Sequence, residues 1–421
     1  MSVSASVTQL KELIYKWENI AEICNLIIIG AVEMGSSDIH IEPLTHIIRI
    51  RYRVDGQLRE ILEYQPFLHQ QIVARFKIMS NLKIDESRIP QDGRLSTTIG
   101  TKSLDLRVST LPTVHGEKIV MRIVDKSKSI PDLNDLGIEG KNRTLLEKAI
   151  SLPNGIILTS GPTGSGKSTT LYSCLSRLNK PDVNIMTLED PVENQIDGLN
   201  QSQVFPDIGY SFASGLRTAL RQDPDIIMVG EIRDHDTINI AIEASLTGHL
   251  VVSTIHTNSA AETLTRIINM GIQPFLLPAT INAIIAQRLI RKVCPHCRKA
   301  IKLQDLPEPQ RKSVEKAIKK TDKNELLSRI PAETLQNPQF YEAVGCPECD
   351  NIGYKGRVGI YEILEITQNI KKMIIDGASA TMINEVAIND GMISLEQDGI
   401  IKALNGVTTL EEVYSAAKEN T

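Results

Sequence analysis

Apolar side chains return at helical spacing from about Gln9 to Met34, at Leu10, Leu13, Ile14, Trp17 and Ile20, then at Ile23, Leu26 and Ile27. This predicts a helical segment over residues 1–34, ended by Gly35-Ser36-Ser37-Asp38. The period then shortens to two. Ile47-Ile-Arg-Ile-Arg-Tyr-Arg-Val54 alternates, turns at Asp55-Gly56 and resumes at Leu58 as a hairpin partner. A helical stretch from Phe67 to Met79 leads into a predicted loop, Arg88-Ile-Pro-Gln-Asp-Gly-Arg94, and two strands follow at Ser103–Thr110 and Lys118–Val124. Strands with few helices predict a compact α+β domain over 35–126.

Residues 127–136, charged and punctuated by Ser, Pro and Asp, read as a linker. From Gly137 strands and helices alternate through residue 292, as a parallel-sheet nucleotide-binding core requires. The alternation breaks near Val293 into a cysteine-bearing insertion, 293–360, whose charged middle, Lys302 to Lys323, predicts a solvated helix pair. After Tyr361 the pattern is helical and polar, giving a C-terminal helical subdomain over 361–421. The fold class is therefore α/β, and 421 residues accommodate two or three such domains.

Within the alternating core, Gly161, Pro162, Thr163, Gly164, Ser165, Gly166, Lys167, Ser168 and Thr169 carry the phosphate-loop pattern G-x-x-x-x-G-K-[ST]. The flanks fit it: Gly155-Ile-Ile-Leu-Thr159 predicts a buried strand, and the residues after Lys167 a helix. Glycines let successive backbone N–H groups turn onto phosphate oxygens, and the helix N-terminus adds positive potential. Lys167 is placed to reach the β- and γ-phosphates of ATP and Ser168 to ligate Mg²⁺.

Asp225-Ile-Ile-Met-Val-Gly-Glu-Ile-Arg-Asp234 is an apolar strand ending in an acid, with Gly230 where an aspartate is usual, so Glu231 is left to act as the carboxylate. Thr187-Leu-Glu-Asp-Pro-Val-Glu193 follows a second strand-like run, Val183–Met186, and offers Glu189, Asp190 and Glu193 to the crevice at the strand ends. Turn chemistry at Asp-Pro is the alternative for Asp190 and Glu193. Gly248-His-Leu-Val-Val-Ser-Thr-Ile-His-Thr-Asn258 sets His249 and His256 at opposite ends of a third strand. Either histidine can sense a γ-phosphate, contact a neighbouring subunit, or simply be hydrogen-bonded.

Alternation puts Arg122 on a strand face with Val120 and Val124, where a guanidinium needs an anionic partner, and Arg107 beside Asp105 and Ser109. Neutralising the phosphate of an adjacent subunit and forming structural salt bridges both fit these arginines.

Cys294-Pro-His-Cys297 and Cys346-Pro-Glu-Cys349 are two C-x-x-C knuckles with 48 residues between them. Four thiolates so paired predict a closed tetrahedral Zn²⁺ site pinning the base of the insertion, with His296 a weaker ligand candidate. Cys24 and Cys174 lie in apolar helical settings and read as core.

Composition narrows the classes. Hydrophobic residues make up 41% and charged residues 23%, as in soluble globular chains. A net charge of −5, 4% aromatics and a single tryptophan give no support to a nucleic-acid binder. The apolar run Leu26-Ile-Ile-Ile-Gly-Ala-Val32 is too short to cross a bilayer and lacks a cleavage pattern, so the expected compartment is the cytosol.

Together these residues resemble the secretion ATPase superfamily of type II secretion and type IV pilus assembly. Ser37-Asp-Ile-His-Ile-Glu-Pro43, Arg51-Tyr-Arg-Val-Asp-Gly56, Arg88–Arg94 and Arg107-Val-Ser-Thr110 look like its N-terminal signatures. The phosphate loop, Glu189–Glu193, Gly230-Glu231 and Gly248–His256 follow in the family's order, and the knuckles look like its assembly class. The resemblance covers roughly residue 20 to the C-terminus. It implies a RecA-like P-loop core behind an α+β, PAS-like N-terminal domain, working as a homo-hexamer that hydrolyses ATP at the cytoplasmic face of the inner membrane. It further implies inner-membrane platform proteins as partners, a pilus or pseudopilus as product, no membrane span and no nucleic acid. Glu231 is then the catalytic glutamate, and Arg107 and Arg122 act across the subunit boundary. Fewer than 40 residues precede Ser37, too few for the additional docking domain common in assembly ATPases, so docking is expected through the leading helix or the second domain. The competing expectations are a RecA-like hexameric motor on nucleic acid, of conjugative or helicase type, and an adaptor that binds ATP without hydrolysing it.

Overall fold

The computed structural model of the chain describes residues 5–16, 19–127 and 129–418; Trp17 of the leading helical run lies outside them. The chain divides into two units, Met1–Ser129 and Ile130–Thr421.

In the first unit the leading run is two helices, Ala5–Lys16 and Ile20–Glu33. Asn19 starts the second: it takes the left-handed conformation, φ 51°, and its side chain accepts from the Glu22 N–H at 3.3 Å. Six strands follow, β1 (Asp38–Pro43), β2 (Ile48–Val54), β3 (Gln57–Tyr64), β4 (Gln91–Ile99), β5 (Lys102–Thr113) and β6 (Gly116–Asp125). They form one antiparallel sheet in the order β3-β2-β1-β6-β5-β4. Asp55 and Gly56 both have positive φ, as a two-residue hairpin turn between β2 and β3 requires. One sheet face, with Ile39, Ile41, Ile50, Tyr52, Leu106 and Met121, shares a core with both leading helices and the helix His69–Met79. The segment Gln91–Arg94, expected as loop, is already strand β4. Its polar composition hides it, and Gly93 is needed because a Cβ there would come within 2.5 Å of the Ser80 carbonyl oxygen.

The second unit holds a seven-stranded sheet: β7 (Gly155–Ser160), β8 (Ile185–Glu189), β9 (Asn200–Gln203), β10 (Ile226–Val229), β11 (Leu250–Ile255), β12 (Ile281–Val293) and, after an excursion, β15 (Tyr354–Glu365). The order is β15-β12-β7-β11-β10-β8-β9, parallel throughout except for β15, which runs antiparallel to β12. Every residue of β7, β10 and β11 is buried, because helices cover both sheet faces. The parallel strands bring the ends of β7, β8, β10 and β11 to one side, where ligands meet such sheets.

The excursion contains a short ribbon of β13 (Lys299–Lys302) and β14 (Gln339–Glu342) and the helices Glu308–Lys320, Lys323–Arg329 and Ala332–Gln336. One helix, rather than a solvated pair, occupies most of Lys302–Lys323, and it buries Val314 and Ala317. Helix was also expected from Tyr361 onward, but β15 continues to Glu365 and the next helix starts at Gln368. Ile360 to Leu364 are all buried, and such a run carries neither period.

Candidate functional site

The glycine loop leaves the end of β7 and enters the helix Lys167–Leu178. Gly161 and Gly166 have φ of 146° and 88°. A Cβ at Gly161 would sit 2.6 Å from the Gln287 carbonyl oxygen, and one at Gly166 2.7 Å from the Gln287 amide nitrogen. Both positions therefore require glycine on two counts. Pro162, Thr163 and Gly164 are exposed at the loop's crest, Ser165 is buried, and Ser168 and Thr169 are exposed in the helix's first turn. Lys167 is 8% exposed and folds back, its Nζ donating to the Gly161 and Pro162 carbonyls at 2.8 and 2.9 Å. Burial pulls its pKa down to about 8, against the opposing field of Glu231 and with the help of Arg288.

Glu231 follows β10 beyond Gly230, whose N–H donates to the Leu188 carbonyl at 2.7 Å and whose carbonyl accepts from the Thr254 hydroxyl at 2.7 Å. The Glu231 carboxylate meets Arg233 at 2.5 Å on one oxygen and His256 Nε2 at 3.6 Å on the other. His256 stands at the end of β11, half-exposed. Burial and then Lys167 push its pKa below the ordinary histidine value, against Glu231. Lys167, Glu231, Arg233 and His256 thus share one electrostatic neighbourhood, and Asp190, exposed beyond β8, adds its field at Arg233. Arg233 was not singled out from the sequence; a cation two residues after the strand-end acid was the signal.

Glu189 ends β8 but turns inward. It is 3% exposed and accepts from Tyr172 on the loop helix, from Thr187 at 2.5 Å and from Gln201 at 3.1 Å. With both oxygens engaged, it braces the loop helix against the sheet. Glu193 lies half-buried beyond it, its N–H donating to the Tyr172 oxygen at 3.3 Å.

His249 lies at the opposite end of β11 from His256. It precedes β11, on the side of the sheet where β7 begins: its carbonyl accepts from the Gly155 N–H, and its Nδ1 lies 3.0 Å from the Ala244 carbonyl. The seven residue steps from His249 to His256 along β11 span about 23 Å at ~3.3 Å per residue. Strand direction, which the local sequence does not reveal, decides between the two histidines.

In the first unit, strand registers align Arg53, Asp38, Arg122, Arg107 and Arg94 directly across β2, β1, β6, β5 and β4. Arg122 is 56% exposed and donates through Nε to Asp38 at 3.0 Å; Arg53 approaches the same carboxylate at 3.5 Å. Arg122 thus has an anionic partner within its own sheet. Arg107 is half-buried between two arginines. Like charges directly opposite one another cost stability, so a row of three arginines is a feature that packing alone does not favour.

The four knuckle cysteines meet where β12 ends and β15 begins. Their sulfurs all lie within 4.8 Å of one another, with Cys294–Cys346 at 3.9 Å, Cys297–Cys349 at 3.7 Å and Cys346–Cys349 at 3.7 Å. Sulfurs ~2.3 Å from a shared tetrahedral metal stand about 3.8 Å apart, whereas a disulfide needs about 2.05 Å. The N–H groups of Gly345, Cys346 and Gly353 donate to these sulfurs at 3.2–3.3 Å, which favours thiolates. The group can hold a metal ion; His296 is exposed and outside it. Cys24 and Cys174 are buried elsewhere, where desolvation pushes each thiol up to about 12.

A family model described as type II/IV secretion system protein matches residues 15–415. The chain belongs to the type II/IV secretion system protein family. Among its relatives in that family, a "Type IV pilus assembly ATPase PilB" of Myxococcus xanthus is 46% identical over 395 residues, covering 94% of this chain and 67% of that protein. A "Type II secretion system protein E" of Dickeya dadantii is 46% identical over 400 residues, covering 95% and 76%. A "Type II secretion system ATPase E" of Vibrio cholerae is 44% identical over 401 residues with the same coverage. The chain is an ATPase of this class. A solved structure of the pilus retraction motor PilT with bound ADP is 26% identical, with a TM-score of 0.59 over 93% of this chain and 95% of that one. The Legionella pneumophila ATPase DotB, at 21% identity and a TM-score of 0.66 over 94% and 95%, shares the fold. Among the described residues no helix is long and apolar enough to cross a membrane.

Proposed function

We propose that the chain binds and hydrolyses ATP at the Gly161–Thr169 loop, working as a homo-hexamer that drives assembly of a pilus or pseudopilus. The observation that carries this reading is the convergence of Lys167, Glu231 and His256 on one side of the parallel sheet, at the mouth of a loop whose glycines are sterically required. When phosphate arrives, Lys167 exchanges the Gly161 and Pro162 carbonyls for β- and γ-phosphate oxygens. Ser168, exposed in the first helical turn, has the hydroxyl and the placement to hold Mg²⁺, which would supply charge neutralisation between the phosphates. Glu231 orients the attacking water and takes up its proton's hydrogen bond, while Arg233 fixes one carboxylate oxygen and leaves the other facing His256. A neutral His256 then donates its ring N–H to a γ-phosphate oxygen without adding charge.

Arg107 and Arg122, neighbours across β5 and β6, complete the site from the first unit of a neighbouring copy. The four cysteines hold Zn²⁺ as a structural ion, a fit supported by the sulfur spacing. The protein works in the cytoplasm, peripheral on the inner membrane through platform proteins of its machine.

Mixing Arg107→Ala with Lys167→Ala protein tests the shared site. Each variant alone is expected to be inactive, and mixed rings to recover part of the MgATP turnover. No recovery at any ratio would contradict a site built from two copies.

A further inference from the structure

β12 outruns its neighbour. It pairs with β7 as far as Ala286 opposite Ser160. There β7 gives way to the glycine loop, while β12 continues to Val293. The first residue past that point is Gln287, which is 1% exposed among apolar neighbours, Ile284, Ile285 and Ala286. An apolar side chain would suit such a place, yet the residue is an amide with both ends used. Its Nε2 donates to the Ser165 carbonyl at 2.8 Å, and its Oε1 accepts from the Thr170 hydroxyl at 2.8 Å. One side chain therefore ties the middle of the loop to the helix that follows it.

A trans peptide holds its C=O and the next N–H antiparallel. Pinning the Ser165 carbonyl toward β12 consequently turns the Gly166 N–H away from β12. Backbone N–H groups are the part of such a loop that contacts phosphate. The Ser165 carbonyl, which can only accept, fixes Nε2 as the end of the amide that faces it, and the Thr170 hydroxyl then donates to the Oε1 that is left and anchors that end. The main-chain oxygen of Gln287 and its Nε2 also occupy the space that Cβ atoms at Gly161 and Gly166 would need. The residue and the glycines form one fitted set.

From this geometry we infer that Gln287 is a positioning residue for the phosphate loop, holding the Ser165–Gly166 peptide in the orientation that receives the phosphates of a nucleoside di- or triphosphate. The inference rests on the nucleotide reading of the preceding subsection. It touches no reacting atom, so its loss should appear in binding rather than in chemistry.

The test is Gln287→Met, which keeps an unbranched side chain and removes both hydrogen bonds. MgADP affinity is measured by calorimetry, KM and kcat for MgATP by turnover, and the unfolding midpoint without nucleotide. Expected are an MgADP dissociation constant and a KM raised about tenfold or more, with kcat within about threefold, the pattern of lost uniform binding. A lowered nucleotide-free midpoint with MgADP affinity within about twofold of the parent would assign Gln287 to packing and overturn the inference. Should Gln287→Met not fold, Thr170→Val removes the bond that anchors the Oε1 end of the amide, and unchanged MgADP affinity there would overturn it equally. Lys167→Ala is measured alongside. If it too binds MgADP like the parent, the nucleotide reading of the loop fails; if Gln287→Met alone does, only the role of Gln287 fails.

Discussion

Glu231 and His256 stand 3.6 Å apart beyond the ends of the neighbouring parallel strands β10 and β11, with the second Glu231 oxygen held by Arg233. The pairing separates two histidines that look alike in the sequence. His256 lies on the glycine-loop side of the sheet, and His249 closes a turn on the other side. His256→Ala is expected to lower kcat about a hundredfold, the usual worth of a positioned proton-handling group, while His249→Ala stays within about threefold. Steady-state turnover of the two variants checks this, and equal losses would mean that strand direction does not select the functional histidine.

Lys167 carries a pH signature. With its pKa at about 8 in the nucleotide-free site, it is protonated at pH 7 and loses its charge as pH rises past 8. Bound phosphate favours the charged form, so above pH 8 binding must take up a proton. KM for MgATP should be flat from pH 7 to 8 and then rise about tenfold per pH unit, because a single proton is linked to binding. A KM flat to pH 10 would contradict the buried, depressed lysine.

Elemental analysis should find one zinc ion per chain, and Cys346→Ser should lose it. Because a shared ion would join ligands as far apart in sequence as Cys297 and Cys346, its loss should loosen the base of the excursion, leaving the β13–β14 pairing and the Cys294–Gly353 hydrogen bond to close it. Limited proteolysis is then expected to cut within residues 293–360 in the variant and not in the parent. A metal-free parent with the same protection would remove the ion from this account.

A buried charge cluster ties the excursion to the rest of the second unit. Asp398, 1% exposed, accepts from Lys402 at 2.5 Å and from Arg329 at 2.6 Å, and also from the Tyr361 N–H at 2.9 Å. Burial alone would raise its pKa, yet Lys402 and then Arg329 hold it below the ordinary carboxylate range. A carboxyl lowered in this way stabilises the fold above its unfolded value of about 3.9, and that contribution is lost as pH falls through the folded value. Asp398→Asn leaves two cations buried with no countercharge at that position and should cost about 3–5 kcal/mol in chemical denaturation. A cost under about 1 kcal/mol would show the cluster to be water-compensated.

Much of this site is legible in the sequence because its signals are local. The loop, its buried strand and its helix lie within 25 consecutive residues, Gly155 to Leu178 with Asn179, and the four cysteines announce themselves by spacing. What is not legible comes from direction and distance. The end of β11 that faces the site depends on its parallel pairing with β7, and Gln287 reaches the loop from more than a hundred residues away. Glu189 reads as a free strand-end acid until Tyr172, Thr187 and Gln201 are seen around it. The arginine row is invisible strand by strand, because only the registers of β1, β6, β5 and β4 align it. In the same way, Asn19 breaks a helix that periodicity runs straight through, since it caps the next one.

On the proposed reading, Glu231 performs the chemistry on a nucleotide held by the loop. Glu231→Gln keeps the side chain's size while removing its capacity to accept a proton. The protein with this change should bind MgATP within about threefold of the parent while its single-turnover rate of phosphate release falls about a thousandfold. Phosphate release at a parental rate would contradict the claim outright.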